Sequence, residues 1–303
     1  MTPSSETRGL AVVTGTSTGI GAATARELAR QGFHVLAGVR RDRDAEAIRA
    51  PGIEPVILDV TNAEHIQALV ARVRADSQRR PLHALVNNAA IQANVPIEAF
   101  GIDRWRAMFE VNLFGQVAVT QALLPDLVAS RGRVVNISSV GGKVAMAAYG
   151  PYAATKFAVE AVSDSLRREL STFGVHVVVV EPGAVRTEML GRAIAGAEEL
   201  LAAMTPEQRQ RYGRLVHAVN EQAISSTKTG LPAQAAATVI VKAITARKPR
   251  TRYTVGREAA SLTLVRFLPD RALDRILARA LRSHYPSSET HLVTSPVPKV
   301  YNA

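Results

Sequence analysis

Up to about residue 185, short runs that are almost wholly apolar alternate with longer runs whose apolar residues recur every three or four positions. The short runs, residues 10–14, 33–39, 53–60, 82–87, 133–138 and 175–181, predict strands. Strands this apolar on both faces belong in a parallel sheet covered on each side by helices. The longer runs, 20–31, 63–77, 105–124 and 151–173, predict those helices, with Gly32 closing the first and Pro125 expected to stop the third. The alternation predicts one α/β domain with a doubly wound parallel sheet and ligands at the carboxyl ends of its strands.

Beyond Pro182 the pattern changes. Residues 187–230 are helical, polar and Ala-rich, and read as an inserted pair of helices forming a lid. A short strand is expected at 252–256, then apolar or amphipathic segments at 261–268 and 271–284, split by Pro269. From Pro286 on, the mixture of Ser, Thr and Pro reads as a frayed end. The expected division is therefore a single domain over 1–303, with a core at 8–256, the lid at about 187–230 and a C-terminal extension at 257–303.

Composition narrows the chemistry. The chain has 303 residues, 47% of them apolar, enough for a large core. It has no cysteine, which excludes disulfides, thiol catalysis and Cys-based metal sites and fits a reducing, cytoplasmic setting. The first residues lack an apolar leader segment, and no stretch approaches eighteen uncharged apolar residues, so no spanning helix is predicted. The net charge of +11 favours anionic ligands such as phosphorylated cofactors. Its arginines are scattered, with few aromatics between them, so no specific nucleic-acid site is expected.

Gly15-Thr16-Ser17-Thr18-Gly19-Ile20-Gly21 joins the first strand to the first helix. Glycine lets a pyrophosphate approach the backbone, and the helix start offers free N–H groups to it. About twenty residues on, the second strand ends in Val39-Arg40-Arg41-Asp42. An acid there would bind a ribose 2′-hydroxyl, whereas an Arg accepts a 2′-phosphate. Arg40 and Arg41 favour NADP(H) over NAD(H); the rival reading leaves both solvated and gives the ribose to Asp42.

Tyr152 and Lys156 fall one turn apart on one face of the helix expected at 151–173. A tyrosine titrates near ~10 unaided, and a neighbouring ammonium is expected to lower that value. Ser139, at the end of the fifth strand, would reach the same sheet edge, where its hydroxyl could hold a carbonyl oxygen. Strand alternation points Ser138 the opposite way from Ser139. Tyr149 is a rival to Tyr152 but lacks a lysine four residues on.

On these residues the chain resembles the short-chain dehydrogenase/reductases with a Tyr-x-x-x-Lys active site. The likeness spans roughly 8–190 and includes Thr14-Gly15-x-x-x-Gly19-x-Gly21, Asp59-Val60, Asn87-Asn88-Ala89-Ala90, Val111-Asn112, Ile137-Ser138-Ser139, Tyr152-x-x-x-Lys156 and Pro182-Gly183 with Thr187. Ala90 stands where the family has glycine. The resemblance implies a Rossmann-like fold with Tyr152 as acid/base and Lys156 tuning it and binding the nicotinamide ribose. Ser139 would orient the substrate oxygen, and Asn112 would hold a water in a relay through Lys156. It further implies a cofactor site in which Gly15, Ser17, Thr18, Gly19 and Gly21 hold the pyrophosphate, with Arg40 and Arg41 beyond. Asp59 and Val60 would meet the adenine, and Asn88 and Ala89 would line the floor. Ile20, Pro182, Gly183, Val185 and Thr187 would meet the nicotinamide.

The extension, with Ala37-Gly38-Val39-Arg40, is similar to the branch containing retinol and 17β-hydroxysteroid dehydrogenases, which implies a lipophilic alcohol or carbonyl substrate. The lid's Leu190, Ile194, Leu200, Leu201, Met204, Tyr212, Leu215 and Val216 would suit such a ligand or simply pack together. A 3-ketoacyl-thioester reductase is the alternative enzyme, and a non-catalytic dinucleotide-binding sensor or scaffold the alternative of another class. The helices at 105–124 and 151–173 suggest a homodimer or homotetramer. The basic amphipathic segment at 271–284 fits packing on the core or a second subunit, with peripheral membrane contact as its rival.

Overall fold

The computed structural model describes residues 8–286, and among them the apolar runs become a seven-stranded parallel sheet. Its strands are β1 (Leu10–Val13), β2 (His34–Val39), β3 (Ile53–Ile57), β4 (Leu82–Asn87), β5 (Arg133–Ile137), β6 (His176–Pro182) and, after two short strands, β9 (Arg252–Val255). The order is β3-β2-β1-β4-β5-β6-β9. The intervening β7 (Val185–Arg186) and β8 (Leu231–Pro232) form a separate two-residue ladder. Strand order reverses between β1 and β4, and a crevice opens at such a switch point.

Alternate residues of each strand serve different layers. Ala11, Val13, Val35 and Ala37 face α1 (Gly19–Arg30) and α9 (Ala233–Thr245), where Ala22, Ala25 and Leu28 meet Ala236, Ile240 and Ile244. Leu10, Val12, Leu36 and Leu85 face the other layer, which includes Leu69 of α3 (Ala63–Arg74) and Leu123 and Leu127 of α5 (Gly115–Ser130). At the foot of β5 the Arg133 guanidinium donates to the carbonyls of Ala243 and Ala246, at 2.7 and 2.6 Å, and so caps the end of α9.

The expected strands all form, but the third stops at Ile57 rather than residue 60. Pro125 does not stop its helix: it lies inside α5, which runs on to Ser130. Proline removes one backbone donor, and here the fully buried Leu123 and Leu127 on either side hold the helix in place. Arg131, in the left-handed region at φ 49°, and Gly132 end it instead. The same helix begins earlier than expected, as α4 (Ile102–Phe109) joined to α5 by a π-helical turn (Glu110–Phe114). The whole run Ile102–Ser130 is long and apolar enough to cross a membrane by length and composition, contrary to the expectation from uncharged stretches. Here it lies against the sheet.

Two helices have no counterpart among the expected elements: α2 (Asp42–Ile48) and α9. The lid pair is α7 (Glu188–Ala203) and α8 (Pro206–Thr229). Thr205 and Gln208 start α8 with a reciprocal capping box. After β9 come α10 (Arg257–Val265) and α11 (Asp270–Arg282), divided at Pro269 as the pattern implied. α11 buries Leu281 against Ala218 and Val219 of α8. Leu264 and Phe267 are exposed. Of the segment expected to fray, residues 287–303 lie outside the described residues.

One ion pair gives the fold a measurable acid sensitivity. Asp76, just past α3, is buried and accepts from the Arg80 backbone N–H at 2.8 Å and from its guanidinium. These contacts outweigh burial and hold the Asp76 carboxyl down at about 2. A depressed carboxylate stabilises the fold above its unfolded value of 3.8 and loses that contribution as pH falls through about 2. Asp76→Asn should therefore destabilise by about 2 kcal/mol at pH 7. Denaturant titrations should show the gap between variant and parent narrowing between pH 4 and pH 2.

Candidate active site

A cavity of about 620 Å³ opens along the carboxyl ends of the strands. Its floor begins at Gly15, which follows β1 with φ 69°. Gly19, at φ 59°, opens α1. Gly21 is needed for space: a Cβ there would stand 2.3 Å from the Gly15 oxygen and 2.5 Å from Asn88 Nδ2. Asn88 fastens the turn, donating from Nδ2 to the carbonyls of Thr14 and Gly15, both at 2.9 Å. The Thr14 hydroxyl in turn accepts from the N–H groups of Asn88 and Ala89. Thr18 precedes α1 without capping it, so the helix start keeps free N–H groups beside the cavity.

Arg40, Arg41, Asp59 and Val60 line the same cavity. The two arginines are not equivalent. Arg41 is held by Asp44, Nε to Oδ2 at 2.7 Å. Arg40 is exposed and has no ion-pair partner among the described residues. Asp42 starts α2 and does not line the cavity. Burial would raise the Asp59 carboxyl, yet two hydrogen bonds from Thr61 and the charges of Arg40 and His65 hold it below the usual range.

At the far end, α6 (Gly150–Glu169) brings Tyr152 and Lys156 beneath the end of β5. Both are buried, Lys156 to 1% exposure, and its Nζ lies 5.7 Å from the centre of the Tyr152 ring. The ammonium donates to the Ile137 carbonyl at 2.8 Å. Burial depresses Lys156 to about 8, against the opposing pull of Glu160. Burial pushes Tyr152 up to about 12, although a hydrogen bond with Ser139 works the other way. The expected lowering of the phenol is therefore reversed in this structure, because desolvation outweighs the opposing effect of Ser139. Tyr152 keeps its proton at neutral pH.

Ser139 is half-buried beside Tyr152 and caps a short 3-10 turn, accepting from the Gly141 N–H at 3.1 Å. Ser138 is buried, with no hydrogen-bond partner for its hydroxyl among the described residues. Tyr149 is also at the cavity, with its phenol raised by burial against an opposing influence of Asn94. Asn112 sits on the π-helical turn, a local widening common at functional sites. Its amide is already engaged, with the backbone of Ile91 at 2.8 Å and the Thr155 hydroxyl at 3.1 Å. Pro182, Gly183, Val185 and Thr187 line the wall opposite, with Ile20.

Of the apolar lid positions singled out in the sequence, Leu190 reaches the cavity; Ile194, Leu200, Met204 and Val216 are buried in helix packing. The cavity wall also includes Gln92, Met146, Met189, Arg192, Gln222 and Leu262. Gln92 lies two residues past Asn87-Asn88-Ala89-Ala90, Met189, Arg192 and Gln222 fall in the segment expected to form the lid, and Leu262 falls in the apolar segment at 261–268; Met146 has no sequence signal. Met146 comes from the loop before α6, Met189 and Arg192 from α7, Gln222 from α8 and Leu262 from α10.

The comparisons with known proteins agree with this architecture. Residues 9–198 match the family described as short chain dehydrogenase. The chain belongs to that family, and it is an NAD(P)-dependent oxidoreductase. It is 35% identical over 281 residues to the NADPH-dependent 3-dehydrocapnine reductase of Ornithobacterium rhinotracheale, covering 90% of this chain and 97% of that protein. It is 37% identical over 273 residues to retinol dehydrogenase 7 of Mus musculus, covering 88% and 86%. Among solved structures, a short-chain dehydrogenase from Streptomyces avermitilis superposes with a TM-score of 0.70 at 28% identity, covering 93% and 97%.

The glycine turn gives a direct test of the cavity's phosphate end. Gly21→Ala should weaken NADPH binding by at least about tenfold, a 1.4 kcal/mol effect, in a fluorescence titration. Gly101→Ala, where a Cβ meets nothing within 4 Å and φ is -58°, is the control and should leave that binding unchanged.

Proposed function

We propose that the protein is an NADP(H)-dependent oxidoreductase that interconverts a carbonyl and a primary or secondary alcohol on a lipophilic substrate. The observation that carries this reading is the meeting of Ser139, Tyr152 and Lys156 in one cavity with a glycine turn and an Arg40 that has no ion-pair partner among the described residues. When bound, NADP(H) supplies or accepts the hydride. The cradle fits that group: its glycines leave the space a pyrophosphate backbone needs, and Arg40 is free for a 2′-phosphate. The NADPH dependence named for the Ornithobacterium relative supports the same preference. NAD(H) remains the second cofactor to test.

In the reductive direction Ser139 holds the substrate oxygen. Tyr152 gives it a proton as the carbonyl carbon takes the hydride, and the Lys156 ammonium steadies the phenolate left behind. Asn112 keeps the segment at Ile91 in register and is assigned to a water relay toward Lys156. The lid α7 and α8 with α10 forms the substrate end. Met146, Met189, Leu190 and Leu262 favour an apolar body, while Gln92, Gln222 and Arg192 offer contacts to a polar group. The name of the murine retinol dehydrogenase relative supports a lipophilic alcohol or aldehyde. A cytoplasmic homodimer or homotetramer belongs to the same reading. It is supported by Phe114, Phe157 and Phe173, which are exposed beside α5 and on or just after α6.

The test is consumption of NADPH and NADH against retinaldehyde, a ketosteroid, a long-chain aldehyde, a 3-ketoacyl thioester and a small polar ketone. NADPH-linked turnover of the bulky apolar compounds is expected. Turnover confined to the thioester or the polar ketone would replace the substrate assignment. Tight NADPH binding without any turnover would favour a sensor. Tyr152→Phe should lower kcat by at least about a thousandfold, ~4 kcal/mol of barrier, with NADPH affinity kept. The pH profile has a defined sign. Lys156 is cationic below about 8 and neutral above it, while Tyr152 keeps its proton to about 12. Reductive kcat/KM should therefore be level near pH 6–7 and fall through a midpoint near 8.

A further inference from the structure

Behind the proposed catalytic groups lies a second charged cluster. Lys143 Nζ stands 2.5 Å from Glu160 Oε2 and 3.2 Å from Glu181 Oε1. The side chains of all three are below a tenth exposed. Arg252 enters from β9, with Nε 3.1 Å from Glu160 Oε2 and 3.4 Å from Glu181 Oε1. Its Nη2 lies 2.9 Å from Asp164, which also pairs with Arg167. The Thr254 hydroxyl donates to Glu181 Oε2 at 3.0 Å.

Each member stands on a different piece of the active site. Lys143 follows the 3-10 turn that Ser139 caps. Glu160 lies one helical turn after Lys156 on α6. Glu181 directly precedes Pro182 and Gly183, which line the cavity. The fit between turn and helix is close: a Cβ on Gly142 would stand 2.7 Å from Ser138 Oγ, 3.0 Å from the Lys156 carbonyl and 3.2 Å from Glu160 Cγ. Buried ion pairs add little net stability over a well-packed apolar replacement, and their best-attested use is to fix register. Glu160 Oε1 and Glu181 Oε1 have no hydrogen-bond partner among the described residues, so without Lys143 the two buried carboxylates would be left with Arg252 as their ion-pair partner.

We infer that Lys143 is a positioning residue whose ammonium, clamped between Glu160 and Glu181, locks the Ser139 turn to the helix of Tyr152 and Lys156 and to the strand that leads into Pro182–Gly183. It touches none of the reacting groups and acts through the placement of Ser139. This rests on the roles proposed for Ser139 and Tyr152.

A double-mutant cycle between Lys143→Met and Ser139→Ala tests it, using NADPH and whichever panel carbonyl is turned over fastest. Lys143→Met should lower kcat at least tenfold while changing the NADPH dissociation constant less than threefold, and Lys143→Arg should restore most of the loss. In the Ser139→Ala background, Lys143→Met should have little further effect on kcat, because the group it positions is gone. Arg252→Met, at a partly exposed site, serves in the same cycle if Lys143→Met does not fold, with a smaller loss of the same kind. A lowered melting temperature with kcat within twofold of the parent would overturn the inference, as would full multiplication of the two losses. A Tyr152→Phe variant with undiminished turnover, or no turnover by the parent, would instead remove the catalytic reading on which it rests.

Discussion

An ammonium removed from water must recover its hydration from fixed partners, or it gives up its proton. Lys156 is in that position, buried at the end of β5 and held by the Ile137 carbonyl. A parallel sheet makes this arrangement available. The last carbonyls of its strands have no further strand residue to bond, and here one becomes the acceptor for a charged side chain. Tyr152 is drawn into the same dry space, and the two groups are displaced in opposite directions, the phenol upward and the ammonium downward. Much of what surrounds them serves to keep that pair at the cavity wall: Glu160 one turn on, the capped turn of Ser139, and the π-helical widening that engages Asn112 with Thr155 beside it.

The sheet was readable from the sequence because buried parallel strands leave an unmistakable apolar run, and the glycine turn because its residues have one placement between strand and helix. Tyr152 and Lys156 were readable from helical spacing taken together with Ser139 and the glycine turn. Other features depended on tertiary structure. Pro125 was misleading because its cost as a helix breaker is local, while the burial of Leu123 and Leu127 that outweighs it is not. The direction of the Tyr152 shift required knowing how dry its surroundings are. Glu160 and Glu181 are ordinary acids in the sequence, one on a helix and one in a strand, until the fold puts Lys143 between them.

The cavity is assembled from distant parts of the chain. Its proposed phosphate end comes from the first sixty residues, the Ser139, Tyr152 and Lys156 group from the middle, and much of the proposed substrate end from α7, α8 and α10. The first two are dictated by backbone geometry and buried charge and tolerate little change. The last is built from side chains such as Met189, Gln222 and Leu262, whose neighbours are mostly other side chains. On the proposed reading, chemistry and selectivity are therefore carried by different segments of one polypeptide.

The packing of α1 against α9 also bears on how the chain comes to be folded. Gln234 of α9 bonds to Glu27 of α1 across 207 residues, and the Ala22, Ala25 and Leu28 face has α9 as its cover. During synthesis the nucleotide-binding half is made first, yet one of its helices waits with an uncovered apolar face until residues 233–245 have left the ribosome. The sheet is in the same position, since β9 joins its edge later still. Non-local closure of this kind slows folding and leaves the nascent chain adhesive for most of its translation. A shortened chain ending after the catalytic helix would keep every proposed catalytic side chain and still lack the layer that makes the first half a stable body.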